Sequence, residues 1–399
     1  MYGAGNIGRG FIGPMLSRSG FTVTFVDVSA PLIRAINAAG EYTVRIIGNA
    51  GYEDTLVTGV SALDGNDTEA VAEAIAGADL VATAVGVPVL KKIVPNLVAG
   101  IRRRLAASDK PLDIIICENL LDADKFLSAL IEERLSAQER ALFVRQIGLV
   151  EASIGRMVPV QTDEMRQGDP LRICVERYAF LPVDKAAFKG ELPKINGLVP
   201  YAPFDYYIKR KLFLHNMGHS VCAYLGLCFG YEYISDAMDD PEILNIVKNA
   251  MLESMQALSR EFGIGMEALL PHIDDLIVRF KNRALRDTCA RVGNDPARKL
   301  SKNDRLIGAM SGCLKYGVVP RHIAVGAAAA LCRYLKDTAQ LQSAENAAAA
   351  LTSLSGLEAD SAPANMILEM YELFVDGTSP KFLRKSIEAY QDRTASEIV

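Results

Sequence analysis

The chain has 399 residues, half of them hydrophobic, enough to bury two substantial cores, so two domains are expected. A net charge of −5 and a pI near 5.6 argue against nucleic acid or an anionic membrane as the main partner. No run of about eighteen apolar residues and no signal-like start is present, and the seven cysteines are odd in number and form no C-x-x-C pair, which together predict a soluble cytoplasmic protein with reduced thiols.

The chain opens MYGAGNIGRGFIG, which reads Gly3-x-Gly5-x-x-Gly8. A helix is predicted over 6–19 and a strand over 21–27, where Phe21 to Val26 alternate before Asp27, nineteen residues after Gly8. In a dinucleotide site the first glycine permits a tight turn and the second lets the backbone approach the pyrophosphate. The third packs helix on strand, and an acid about twenty positions on takes the ribose hydroxyls. Gly3, Ala4, Gly5, Asn6, Ile7, Gly8 and Asp27 are therefore the candidate cofactor contacts. Asp27 favours NAD over NADP, because a carboxylate repels a 2′-phosphate and no arginine follows within six residues. Only Met1 and Tyr2 precede Gly3, so the first strand is expected to be a stub, or the natural start to lie upstream. A form with more residues ahead of Met1 is then expected to be the more stable and the better NAD binder.

Further strands are predicted at 80–86, 112–117 and 145–152, and helices at 30–39, 66–77, 88–106 and 120–136. Alternation of this kind gives a right-handed, mostly parallel sheet. Two β-like runs, 42–48 and 53–59, read as an inserted hairpin or an edge, and FKGELPKING within 156–195 reads as a linker. From about 203 onward long helical periods dominate: 205–230, 241–262, 266–283, 303–315, 322–336, 342–355 and 361–375. The expected fold is α/β, a Rossmann-like dinucleotide-binding domain over 1–195 followed by a mostly α-helical substrate-binding and catalytic domain over 200–399. The active site is expected in the cleft between them.

The segment KLFLHNMGH carries Lys211, Asn216 and His219, which at about 100° per residue fall within an arc of about 140° on one helix face. Such a trio can take a proton, steady an alkoxide and hold a hydroxyl without a metal. Lys211 follows Lys209 and Arg210, so a solvated helix start is the alternative. Gly218 costs about 1 kcal/mol relative to alanine in a helix, which makes sense if something must approach closely. His215 and His219 are spaced as a zinc pair could be, but no glutamate follows His215, and only His272 and His322 remain, so no metal is expected and His215 reads as packing or solvent. Asn119, after the apolar run IIIC, is either a helix cap or a donor beyond the carboxyl end of a strand. The stretch RVGNDPARKLSKNDRL gathers Arg291, Arg298, Lys299 and Arg305 with Asp295 and Asp304, either a solvated loop or an anion-binding patch.

Taken together, GAGNIGRGFIG, CEN at 117–119, KLFLHNMGH followed by AYLG, and DPARKLSKNDRLIG at 295–308 resemble the polyol-specific long-chain dehydrogenases, the mannitol dehydrogenase family. The likeness runs over nearly the whole chain, whose length is nearer that of the sugar-phosphate branch. The resemblance implies Lys211 as general base, Asn216 and Asn119 as the oxyanion hole, and His219, Arg291 and Lys299 as substrate contacts. It implies NAD-dependent interconversion of a hexitol phosphate and a ketose phosphate by a monomer or small homo-oligomer. A hexuronate or other polyol reductase is the second reading, and an NAD-binding regulatory protein without turnover the third. One departure stands out: Ile154-Gly155-Arg156-Met157-Val158-Pro159 has glycine where the family's Val-Asp-Arg-Ile-x-Pro pattern has aspartate.

Overall fold

The computed structural model describes residues 1–387. Its strands among those residues are β1 (Val23–Asp27), β2 (Glu41–Gly48), β3 (Gly51–Thr58), β4 (Val60–Asp64), β5 (Leu80–Thr83), β6 (Leu112–Ile116), β7 (Ile147–Glu151), β8 (Ile173–Val175), β9 (Leu181–Asp184) and β10 (Leu198–Tyr201). The chain divides into two units, Met1–Ile208 and Lys209–Val399.

In the first unit β1 pairs in parallel with β4, and β6 pairs in parallel with both β5 and β7. The two sets are joined by Met1–Gly3. Tyr2 bridges Val26 on one side and Thr83 on the other, both in parallel. Four backbone bonds close the join: Tyr2 N to Ala82 O at 2.8 Å, Ala84 N to Tyr2 O at 2.9 Å, Gly3 N to Val26 O and Val26 N to Met1 O, both at 2.8 Å. Counting that short piece as the first strand, the order is the 3-2-1-4-5-6 of a doubly wound dinucleotide-binding sheet. β6 is buried at every residue, as a central parallel strand covered on both faces must be.

The helices are punctuated as their sequences dictate. Asp67 caps Thr68–Gly77 through Ala70 N, and Gly40, in the left-handed region, ends Ala30–Ala39. The runs 42–48 and 53–59 do form a hairpin, β2 against β3, with β8 added in parallel to β2. Sequence reading passed over β4, β8, β9 and β10, each of three to five residues, too short for periodicity to register. It also passed over the helix Ala137–Gln146, although Ser136 and Glu139 form a reciprocal capping box at its start.

The second unit is helical. The stretch predicted as one helix over 205–230 is an α-helix Asp205–Arg210, a π turn Lys211–Asn216 and a second α-helix Met217–Phe229. That last helix is buried on nearly all sides. Its glycines mark where neighbours press in: a Cβ on Gly226 would run into Cys289 Sγ, and one on Gly218 would lie 2.8 Å from Met251 of the helix Pro241–Phe262. What approaches Gly218 is therefore core packing. Asp240 caps Pro241–Phe262 through Glu242 N and Ile243 N, and Gly263 ends it. No helix among the described residues is long and apolar enough to cross a membrane.

On the amino-terminal side of Tyr2 the space between β1 and β5 is an open slot of about 550 Å³, bordered by Thr22, Val23 and Thr24 on one side and Leu80 and Val81 on the other. Adding four residues of alternating valine and threonine ahead of Met1 should extend the central strand into this slot. Each buried side chain contributes roughly 1.5–3 kcal/mol against about 1–2 kcal/mol of ordering per residue. We expect a net gain of ~1–2 kcal/mol and a Tm about 3–8 °C higher in calorimetry. A Gly-Ser extension of equal length giving the same gain, or no gain from either, would show that the slot does not take a strand.

Candidate functional site

Two groups of candidate residues stand in separate units, and each is built locally. In the first unit the glycines are placed as a phosphate-approach loop requires. Gly3 has φ +88°, and a Cβ there would collide with Ala84 O. Gly8 faces Gly3 O with no room for a Cβ. At Gly5 the reverse holds: a Cβ would meet nothing within 4 Å, and Gly5 and Asn6 are exposed. The chain turns helical at residue 6, with a π turn over Gly8–Ile12 before the α-helix Gly13–Arg18, so the helix start lies beside the open space at Gly5. Asp27, at the carboxyl end of β1, accepts from Ala4 N at 2.8 Å and from Ser29 N at 3.0 Å. Each of its oxygens keeps a further lone pair.

Residues that sequence reading missed hold this loop. Arg9 is buried, and its Nε donates to Ala4 O and its Nη1 to Leu171 O, both at 2.6 Å. Glu118, next to Asn119, is buried and accepts from Val85 N at 2.9 Å and Gly86 N at 2.8 Å, fixing the turn after β5. A charged residue inside an otherwise small or apolar motif was the available signal in both cases. Asn119 itself is exposed, three residues beyond β6. It is not a helix cap: the helix Ala123–Glu132 has Asp122 at that position, and Ala123 N donates to Glu151 Oε1 at 2.7 Å. Gly155 abuts Tyr178, whose ring atoms would lie 3.0–3.3 Å from a Cβ there. The space where the family pattern carries an aspartate is thus bordered by an aromatic ring.

In the second unit the π turn changes how the trio is arranged. Its i→i+5 hydrogen bonding sets Asn216 about one turn above Lys211, closer in phase than an α-helix would. Lys211 keeps some exposed surface, but protein atoms crowd its ammonium. That desolvation, with the nearby Arg305 guanidinium adding to it, lowers its pKa to about 8. Lys211 is therefore not the solvated helix start that its neighbours allowed. His219 stacks on Phe280, ring centroids 4.7 Å apart and planes 11° from parallel. Its Nε2 lies 3.1 Å from Asp287 Oδ2, at ion-pair distance but out of line for a good hydrogen bond. His215 is buried, 5.8 Å from the Phe280 ring, and burial pushes its pKa well down.

The basic stretch is neither a loose loop nor a bare cationic patch, because its arginines are paired. Arg291 donates to Asp287 Oδ1 through Nε at 2.8 Å and Nη2 at 2.5 Å. Arg298 spans Asp295 and Asp304, both at 2.8 Å, and Arg305 donates to Asp304 at 2.8 Å. Arg291 and Arg298 each leave half their side chain exposed. Lys299 is 4% exposed and donates hydrogen bonds to Val292 O and Asn294 O, and burial first, then Arg305, lowers its pKa to about 8. Among the described residues no group of three or more His, Cys, Asp or Glu is placed to hold a metal ion.

Comparison with known proteins gives the family. Residues 1–197 match the mannitol dehydrogenase Rossmann domain, and residues 204–392 match the mannitol dehydrogenase C-terminal domain. The chain belongs to the mannitol dehydrogenase family. Among solved structures it is similar to a mannitol 2-dehydrogenase from Pseudomonas fluorescens in ternary complex with NAD and D-mannitol. That match has 16% identity over 98% of this chain and 93% of the other, with a TM-score of 0.77. A D-sorbitol dehydrogenase in substrate-free form matches at 16% identity over 94% and 92%, also with a TM-score of 0.77. At that identity the likeness is one of fold.

The contact between Gly155 and Tyr178 is directly testable. Gly155→Asp should destabilise the chain by about 1–3 kcal/mol through overpacking. Combined with Tyr178→Ala, the loss should be smaller than the sum of the two single losses by at least ~0.5 kcal/mol. Urea unfolding of the four chains measures this, and strict additivity would show that the two side chains do not compete for space.

Proposed function

We propose that this member of the mannitol dehydrogenase family is an NAD-dependent oxidoreductase exchanging a secondary alcohol of a hexitol phosphate for the ketone of a ketose phosphate, with mannitol 1-phosphate and fructose 6-phosphate the best-fitting pair. The observation that carries the reading is Lys211: a lysine with its pKa lowered to about 8, set in a π turn with Asn216.

The first unit fits NAD. The open space at Gly5, the helix start at residue 6 and Asp27 at the end of β1 are the features a pyrophosphate and a ribose diol require. Arg34, seven residues beyond Asp27, is the first arginine to follow it, which leaves the 2′ position facing a carboxylate. When bound, NAD supplies the acceptor for the hydride that leaves the carbinol carbon.

The remaining chemistry falls to side chains. Neutral Lys211 takes the hydroxyl proton as the C–O bond gains double-bond character, and returns it in the reverse direction. Asn216 donates to the oxygen while charge develops on it, a role worth a few kcal/mol per donor. Asn119 is the first unit's candidate donor to the same kind of oxygen. His219 holds a neighbouring hydroxyl. Arg291 and Arg298, half-exposed, present guanidinium edges suited to a phosphate. Lys299 and Arg305 support them, Lys299 from within the loop and Arg305 beside Lys211.

A hexuronate would meet the same cations with a carboxylate, so the anion's identity is a matter for measurement. NADH oxidation should be fastest with fructose 6-phosphate, slower with tagaturonate and slowest with fructose. A preference for tagaturonate would move the assignment to a hexuronate reductase. Tight NADH binding with no turnover on any of the three would make the protein a regulatory NAD binder.

Lys211→Ala should cut turnover by about 10²–10⁴-fold while NADH affinity, read by fluorescence, stays unchanged. Near-normal turnover would remove Lys211 as the base. The pH dependence has a definite sign. Alcohol oxidation needs the neutral amine, so its rate should rise through about pH 8 and level off, whereas ketose reduction needs the ammonium and should fall over the same range. Profiles that run the other way, or stay flat between pH 6 and 10, would contradict the assignment.

A further inference from the structure

Asp287 is the hub of the second unit's polar residues. It lies between the short turn Arg283–Leu285 and the helix Cys289–Val292. The backbone around it is tied to a neighbouring segment: Ile234 N donates to Asp287 O at 2.9 Å, Cys289 N donates to Glu232 O at 2.8 Å, and Tyr233 bridges Thr288. Its side chain is 10% exposed and faces two partners at once, His219 Nε2 on Oδ2 and the Arg291 fork on Oδ1. Burial alone would raise the Asp287 carboxyl, but His219 and Arg291 outweigh it and hold it below the ordinary carboxylate range. Phe280 fixes the plane of the His219 ring, so little beyond rotation of that ring's contact with Asp287 remains to be set.

We propose that Asp287 is a positioning residue for polyol binding: one carboxylate keeps the His219 proton on Nε2, leaving Nδ1 as the ring's acceptor nitrogen for a substrate hydroxyl, while it holds the Arg291 guanidinium in place. The inference rests on the reading of His219 and Arg291 as substrate contacts. A second partner on the far nitrogen is the ordinary way an imidazole is held in one tautomer. The off-line approach of Nε2 to Oδ2 is of the kind that tightens when substrate closes on the ring. Only a carboxylate can serve both neighbours, since it accepts at either oxygen. An amide accepts at one end and donates at the other, and a donating NH₂ group would face either an N–H of His219 or the Arg291 fork.

Asp287→Asn keeps the shape and removes this double acceptance. We expect kcat/KM for the ketose phosphate to fall about 10–100-fold, mostly in KM, with NADH affinity unchanged, and Asp287→Glu to recover part of the loss. The second readout does not depend on turnover. In ¹⁵N-histidine-labelled full-length protein, the ring signals of His219, identified with His219→Gln among four histidines, should report the Nε2–H tautomer and change in Asp287→Asn. An Nδ1–H tautomer in the unsubstituted protein overturns the proposal, whatever the variants do. So does Asp287→Asn with unaltered ring signals and unaltered kinetics. If no substrate is turned over by the unsubstituted protein, the functional reading fails, and the ring signals still decide whether Asp287 positions His219.

Discussion

The role proposed for Lys211 as base depends on one constraint, that its ammonium be kept short of water. A solvated lysine holds its proton far above neutral pH and cannot act as a base there. Lys211 escapes that because protein atoms replace much of its hydration and Arg305 stands near it. Desolvation of this kind opposes stability, so the surrounding packing has to be firm. The helix that follows Lys211 supplies it. Val221 presses on Gly326, Met251 on Gly218, and Cys289 on Gly226, three close approaches along one buried helix. The π turn is the compromise between that helix, fixed by its core, and the preceding α-helix. Its extra residue per hydrogen-bonded ring re-aims Lys211 and Asn216 without disturbing the helix beyond.

The same economy governs the cations. Arg291, Arg298, Lys299 and Arg305 in one short stretch would repel one another and repel Lys211 if left bare. The carboxylates of Asp287, Asp295 and Asp304 interleave with the arginines, and Lys299 is turned inward onto carbonyls. The result is a stretch whose guanidinium groups are held in fixed directions by carboxylates. On the proposed reading, an anionic substrate would be met there by geometry more than by long-range attraction, which suits a chain whose overall charge is negative.

Much of the fold was legible because its signals are local and strong. The glycine motif, the alternation up to Asp27, the apolar run of β6 and the Asp240–Pro241 to Gly263 frame around one long helix each name their element without tertiary information. The short strands were not legible, since three to five residues carry no period, and β8 to β10 exist only by pairing or packing with distant chain. At the site, residue types were readable and their settings were not. Spacing put Lys211, Asn216 and His219 on one face, but an α-helical phase could not foresee a π turn. Nothing in RVGNDPARKLSKNDRL distinguishes an exposed lysine from Lys299 buried on two carbonyls. Asp287 was invisible for a related reason: its partners lie 68 residues back and four residues on, and only the fold brings them together.

In the first unit the glycine loop is held in two ways. Backbone bonds at Tyr2 and Gly3 tie it to the sheet, and side chains hold it at the peptide groups themselves. Asp27 takes the Ala4 N–H, and Arg9 takes the Ala4 carbonyl. Tyr42 in turn donates to Arg9 O at 2.8 Å. Ala4 is thus gripped on both sides by charged groups from β1 and from the loop's own helix, which helps to fix the geometry presented at Gly5. On the proposed reading, Asp27 would meet the ribose and also, through the Ala4 N–H, order the loop at the pyrophosphate, so replacing it would disturb both contacts together.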